Sequence, residues 1–399
     1  MSQPSSQSLS QRVQNIKPSP TLAITARAKA LKAAGEDIIG LGAGEPDFDT
    51  PAHIKQAAIA AIDAGDTKYT AVDGTPELKA AVARKFTRDN QLEYGMDQIL
   101  VSCGGKHSFF NLAQALLDPG DEVIIPAPYW VSYPDMVTLA EGVPVIVAAG
   151  IESGFKISPE QLEAAITPKT RMVVINSPSN PTGVSYSHAE LKALGAVLAA
   201  HENIIVVSDD IYEHIRLTDH EPFANIVTLC PALVERAVVL NGVSKAYSMT
   251  GWRIGYAGGP AWLIGAMKKI QSQSTSNPAS ISQAAALAAL DGDQGCIGEM
   301  VAAFRERHVY VVDRLNAMPG IQCLPSQGAF YSFPDCQQAI ATLGLVDDLA
   351  FAEHLISEAG VALIPGSAFG APGYVRLSFA TSMDNLRKAL DRIEAVVSA

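Results

Sequence analysis

The sequence predicts an α/β fold: a large unit built on a mostly parallel sheet flanked by helices, and a smaller α+β unit. Three observations predict it. Between about residues 99 and 240, short continuously apolar runs alternate with segments of helical spacing, as expected of strands buried on both faces with helices between them. After about residue 295 that alternation stops, and one long helical stretch leads into short strands and helices. The length of 399 residues allows for two or three domains at roughly 150 residues each.

The elements follow in chain order. Ile99 to Cys103 is the first strand; the segment from Lys106 to Leu117 then places Phe109, Leu112, Ala113 and Leu116 at helical intervals. Asp118-Pro-Gly-Asp121 is a turn, Val123–Ile125 a strand, and a helical segment runs on through Met136. Val143–Val147, Met172–Ile175, Ile204–Val207 and Ala237–Leu240 are further strands. In the C-terminal part a helix spans Ile297 to Ala317, and Phe330–Phe333, Val361–Ile364 and Tyr374–Phe379 are strand-like. Helices at about 347–359 and 384–397 complete that unit. The first 45 or so residues are too short for a domain and are expected to pack on it. The expected division is residues 48–295, and a small unit made from 1–47 and 296–399.

Composition narrows the function. Hydrophobic residues make up 48% and charged residues 18%, which describes a globular chain. A net charge of −12 argues against nucleic acid, whose partners need a basic face. The first residues carry no secretory pattern, and no apolar run nears the roughly 18 residues of a membrane span. The five cysteines are scattered without Cys-x-x-Cys spacing, so neither a disulfide framework nor a zinc site is expected and a reducing cytoplasm is. The histidines form no His-Glu-x-x-His pair.

In an open α/β sheet, ligands bind at the carboxyl ends of the strands, so the residues after each strand matter most. After the first come Gly104-Gly105-Lys106, opening a helix whose free N–H groups suit a phosphate; an ordinary turn reads as well. Pro126-Ala-Pro-Tyr129-Trp130 presents two aromatics, one of which could stack on a flat cofactor or sit in the core. Asn180, in Asn176-Ser-Pro-Ser-Asn180-Pro-Thr-Gly183, has its amide held by a rigid turn. Asp209 and Asp210 follow four apolar residues, where a carboxylate is costly unless it meets a cation. A protonated pyridine nitrogen would be such a cation. Asp209 lies nearer the strand end, though periodicity does not separate the two, and Tyr212 could join Asn180 at a phenolate oxygen.

The last of these strands leads to Lys245, in a Gly/Ser-rich turn that also brings Arg253 eight residues on. Burial lowers a lysine pKa, and a neutral amine attacks aldehydes. With an arginine suited to phosphate, the pair points to pyridoxal 5'-phosphate; a solvated loop lysine is the alternative. Arg376 lies inside an apolar strand and needs an anion there, either a structural carboxylate or the carboxylate of a substrate. Neither the Gly104-Gly105-Lys106 turn nor Gly40-Leu-Gly-Ala-Gly44 fits the Walker or dinucleotide fingerprints.

Taken together, Val13-Gln-x-x-Lys17-Pro-Ser, Ala43-Gly-Glu-Pro-Asp-Phe48, Lys68-Tyr69-Thr70, Gly104-Gly-Lys106, Pro128 to Tyr133, Asn180-Pro-Thr-Gly183 and Gly242 to Gly255 span nearly the whole chain. It resembles the class I aminotransferases of pyridoxal-phosphate fold type I, in the aspartate aminotransferase branch found in many bacteria. The resemblance implies that Lys245 forms a Schiff base with the cofactor and then shuttles the proton. It implies that Asp209 pairs with the pyridine nitrogen, that Tyr212 and Asn180 contact the phenolic oxygen, and that Trp130 stacks on the ring. Gly104, Gly105, Lys106 and Arg253 would hold the phosphate, with Tyr69 from a second subunit of a homodimer. Arg376 would take the substrate α-carboxylate, beside Gly44, Asn180 and Trp130. Lys106 and Thr21 would serve the distal carboxylate, favouring L-aspartate and 2-oxoglutarate in a ping-pong transfer. Two departures stand out: Gly242 occupies a position where many relatives carry a phosphate-binding serine, leaving Ser244 as a candidate, and Asp210 replaces a usual glutamate. Other oxo acids such as prephenate, other amino acids such as alanine or the aromatic ones, and a carbon–sulfur lyase reaction remain alternatives. A cofactor-sensing DNA-binding regulator does not fit, because the motifs begin by about residue 40 and the charge is acidic.

Overall fold

The computed structural model describes residues 9–16 and 20–399, the side chains of residues 20–22 excepted. Its strands are β1 (Ile39–Gly40), β2 (Ile99–Ser102), β3 (Glu122–Ala127), β4 (Val143–Ala148), β5 (Thr170–Asn176), β6 (Ile205–Asp209), β7 (Ala237–Gly242), β8 (Gly255–Gly258), β9 (Tyr331–Ser332), β10 (Val361–Ala362), β11 (Ile364–Pro365) and β12 (Val375–Ser378). Seven of them form one sheet in the order β2-β8-β7-β6-β5-β3-β4.

The central strands explain the apolar runs. Met172, Val174, Ile205, Val207, Val238 and Leu240 pack into the core on one face. Val173, Ile175, Val206 and Val239, the residues between them, enter the core on the other. Side chains alternate across a strand, so a strand covered on both faces favours an apolar residue at every position, and a polar one there needs a partner. Each fully buried aliphatic side chain contributes about 1.5–3 kcal/mol. β4 departs from the expectation of strands buried on both faces: it is the sheet edge, and Val143 and Ile146 are exposed.

β3, β4, β5, β6 and β7 run parallel, while β8 is antiparallel to both β2 and β7. β8 was not expected from the sequence. Its Gly-Tyr-Ala-Gly carries neither a β-branched residue nor an apolar run, and its glycines answer a packing need. A Cβ on Gly255 would collide with the backbone of Gly104 and Gly105.

The C-terminal part holds a three-stranded sheet, β11-β12-β9. The expected strand Val361–Ile364 is divided: β10 pairs in parallel with β1, and β11 pairs with β12. The N-terminal segment is thereby joined to the C-terminal part. The long helix runs Gly295–Ala317 and the last helix Met383–Val397. Phe304, Leu315, Phe330, Phe379 and Leu390 form their shared core, which also takes in Tyr212. Among the described residues no helix is long and apolar enough to cross a membrane.

Candidate active site

The carboxyl ends of β5, β6 and β7 converge on a cavity of about 280 Å³. The register sets this: Asn176 pairs with Asp209 on the neighbouring strand, and Asp209 with Leu240 on the next. Asn176 locks the turn that follows it. Its Nδ2 donates to the Asp209 carbonyl at 2.9 Å, and its Oδ1 accepts the Asn180 N–H at 2.9 Å.

Lys245 is partly buried, and its Nζ donates to the Gly44 carbonyl at 2.5 Å. Removal from water, and then the positive charges of Arg376 and Arg253, lower its pKa to about 8. Its reactivity in the ligand-free protein should therefore rise with pH through about 8. At pH 8 half the amine is neutral, against about 0.3% for an ordinary lysine. Mass spectrometry of Lys245 after brief acylation across a pH series checks this; a midpoint above 10 would refute it.

Asp209 is 9% exposed. It accepts the Tyr133 hydroxyl hydrogen and, at 3.3 Å, the Ile211 N–H. Burial raises its pKa and the Tyr133 hydrogen bond opposes the rise. No lysine, arginine or histidine pairs with it among the described residues. Asp210, by contrast, does not line the cavity: Ser208 Oγ and Asn225 Nδ2 donate to it at 2.6 and 3.0 Å. Burial and the nearby Glu213 push its carboxyl up to about 8. The Tyr212 hydroxyl lies 2.9 Å from that of Tyr331, and burial keeps the Tyr212 phenol far above its usual pKa, hence a neutral donor.

Arg376 enters from β12 and is 3% exposed. NH1 donates to Asn180 Oδ1 at 2.8 Å and NH2 to the Gly42 carbonyl at 2.7 Å. Its guanidinium lies 4.5 Å from the Tyr331 ring centre and 5.0 Å from that of Phe369. No carboxylate pairs with it among the described residues, and its buried Nε has no hydrogen-bond partner. Because Asn180 Oδ1 is taken by Arg376, its NH2 is the end offered to a ligand.

A third wall is the start of the helix Gly105–Leu116. Gly104 caps it at φ +88°, and a Cβ there would collide with the Arg253 guanidinium. With no side-chain cap, the first helical N–H groups stay open to an anion. Arg253, itself at φ +58°, donates to the carbonyls of Thr250 at 2.8 Å and Cys103 at 3.3 Å. Ser244 lines the same cavity, whereas Gly242 does not; a Cβ on Gly242 would lie 3.0 Å from the Ile254 carbonyl. Lys106 Nζ sits 5.2 Å from the Trp130 ring centre, its pKa lowered by burial and then by Arg253.

The cavity thus brings together Gly44, Gly105, Lys106, Trp130, Asn180, Asp209, Tyr212, Ser244, Lys245, Arg253 and Arg376. Gly104 stands behind Gly105, outside the lining. Tyr69 is 92% exposed and does not reach the cavity of its own chain. The side chain of Thr21 lies outside the described residues, as do Lys17, Pro18 and Ser19. Six lining residues have no part in the expectations above: the apolar Val131 and Ile211, and the polar Tyr133, Asn176, Thr250 and Tyr331. Tyr133 lies within the Pro128–Tyr133 motif and Asn176 opens the Asn180 turn. Tyr331 sits on an apolar strand, where an aromatic reads as core.

The model of the family described as aminotransferase class I and II matches residues 36–393. The aspartate/prephenate aminotransferase of Nitrosomonas europaea is 62% identical to the chain over 396 residues, 98% of this chain and 100% of that protein. The aspartate aminotransferase of Geobacillus stearothermophilus is 53% identical, covering 98% and 99%. The crystal structure of the aspartate aminotransferase from Rhizobium meliloti superposes with a TM-score of 0.94 at 50% identity, over 98% of this chain and 99% of that one. The aspartate aminotransferase from Thermus thermophilus with maleate gives 0.92 at 45% identity, over 98% and 100%.

Proposed function

Since the chain belongs to the aminotransferase class I and II family and is an aminotransferase, we propose that it moves the amino group of L-aspartate to 2-oxoglutarate, with pyridoxal 5'-phosphate as cofactor. One observation carries the reading. A buried carboxylate, Asp209, and a buried guanidinium, Arg376, neither in a salt bridge among the described residues, face one cavity with an amine of pKa about 8. Unpaired buried charges are strongly destabilising, so both are accounted for by a ligand that brings the opposite charges.

The donor set fits this cofactor. Gly105, Lys106, Ser244 and Arg253 suit its phosphate, Asp209 its ring nitrogen, Tyr212 and Asn180 its phenolic oxygen, and Trp130 its ring face. When bound, the cofactor supplies an aldehyde for the Lys245 amine and a ring that stores the electron pair left when the α-proton departs. Lys245 takes that proton from the substrate α-carbon and later returns it, as base and then acid. Arg376 binds the α-carboxylate, Gly44 beside it, and so fixes which face of the substrate Lys245 meets. The neutral hydroxyl of Tyr212 and the amide of Asn180 hold the phenolic oxygen by donation. The two half-reactions share the site, so the kinetics are ping-pong.

Lys106 and Thr21 are the candidates for the distal carboxylate. The relatives named aspartate aminotransferase, and the maleate held by the Thermus protein, support a dicarboxylate. Lys106→Ala should raise KM for aspartate roughly 30-fold, the equivalent of about 2 kcal/mol for a charged hydrogen bond, and change KM for alanine far less. Equal changes for both amino acids would exclude a distal-carboxylate role. Prephenate as an acceptor is a second reading, favoured by the name of the Nitrosomonas relative. A panel of amino donors against 2-oxoglutarate and prephenate, followed by half-reaction absorbance, tests both. Release of pyruvate and ammonia from a cysteine conjugate without any oxo acid would favour a lyase instead.

The exposure of Tyr69 supports a homodimer in which that side chain completes the phosphate site of the partner subunit. The pairing of β1 with β10 supports a small domain built from residues 1–47 and 296–399 beside a large one of 48–295. Five free cysteines support a cytoplasmic setting.

A further inference from the structure

Glu213 follows Tyr212 in the chain but does not line the cavity, and it is 3% exposed. Its carboxylate forms an ion pair with the buried Lys85, at the end of the helix Pro76–Lys85. It accepts from Asn90 Nδ2 at 2.6 Å and from Asn241 Nδ2 at 2.8 Å, and His214 Nε2 lies 3.2 Å away. Asn241 belongs to β7, four residues before Lys245, and its Oδ1 accepts the Gly242 N–H at 2.7 Å. Glu213 therefore joins two stretches of chain: the turn that carries Asp209 and Tyr212, and the turn that carries Ser244 and Lys245.

Stability alone is a poor account of this arrangement. A buried ion pair is often replaced by apolar side chains at no loss. What a hydrogen-bonded carboxylate adds is direction, and a displacement of about 1 Å in a reacting group can cost about 100-fold in rate. We propose that Glu213 is a positioning residue, which holds the Lys245 turn in register with the Tyr212 turn by accepting from Asn241. The proposal rests on the assignment of Lys245 and Tyr212 to amino transfer.

Two double variants test it, Lys85→Met with Glu213→Gln and Lys85→Met with Glu213→Leu. Both remove the two charges, and only glutamine can still accept from Asn241. The glutamine variant should keep kcat within about threefold of the unmodified enzyme. The leucine variant should fall at least about tenfold below it, with KM for aspartate within about twofold, because Arg376 and Lys106 stand on other elements. The visible circular dichroism of the cofactor-loaded protein, which reports how the ring is held, should change in the leucine variant only. Equal kcat and equal dichroism in the two would overturn the proposal. Should the leucine variant not fold, Asn241→Leu makes the same cut with the ion pair intact; a tenfold loss of kcat supports the proposal and a kcat within twofold overturns it. An unmodified enzyme that transaminates no donor would defeat the assignment of function, whereas an active enzyme with matching variants would defeat this inference alone.

Discussion

Lys245→Ala should fold and bind its ligands, yet turn over at least about 10⁴-fold more slowly. General acid–base catalysis contributes about 10²–10⁴, and on the proposed mechanism the same residue is also the nucleophile. Among the described residues the side chain lost makes one hydrogen bond, to the Gly44 carbonyl, so stability should change little. Single-turnover absorbance after mixing with aspartate is the measurement. Chemistry at a near-normal rate would move the proton transfer to another group, and the mechanism above would fall with it.

Asp209→Asn should cost about 10³ in kcat. Asparagine keeps the size and can still accept from Tyr133, so the shape of the wall survives while the charge is lost. Removing one partner of a buried charge pair costs about 2–5 kcal/mol, and about 4 kcal/mol corresponds to a thousandfold. Steady-state kinetics with saturating aspartate and 2-oxoglutarate check the figure. A loss under tenfold would mean that Asp209 carries no charge needed by the ligand. The same substitution at Asp210 should act differently, because that carboxyl is hydrogen-bonded to Ser208 and Asn225 and already favours its protonated form up to about pH 8.

Much of the site was legible because polar residues at the ends of apolar strands cost energy and stand out. Asp209 ends an apolar strand and Arg376 interrupts one, at positions that packing would otherwise fill with valine or isoleucine, and Lys245 stands in the turn that follows a third. Distinguishing Asp209 from Asp210 was beyond periodicity, since the pattern does not mark which of the two ends the strand; the pairing of Asp209 with Asn176 and Leu240 separates them. Tyr133 and Tyr331 stayed hidden because a tyrosine among apolar residues reads as core, and only its hydroxyl partner reveals more. β8 stayed hidden because its glycines serve the close approach of Gly104 and Gly105. The Tyr69 side chain is exposed and reaches no site of its own chain among the described residues.

The positions of Asn180, Asp209 and Lys245 have a common origin. Asp209 ends β6, and Asn180 and Lys245 follow the ends of its neighbours β5 and β7; adjacent strands are held about 4.8 Å apart by their backbone ladder. The backbone acts as a ruler, and its graduations do not depend on any side chain. Lys106 and Arg376 come from a helix and from a different sheet, so they are not measured by it. On the function proposed above, preference for one distal group can drift through Lys106 while the spacing of the reacting groups stays fixed, which makes this architecture a tool with a permanent handle and an exchangeable jaw.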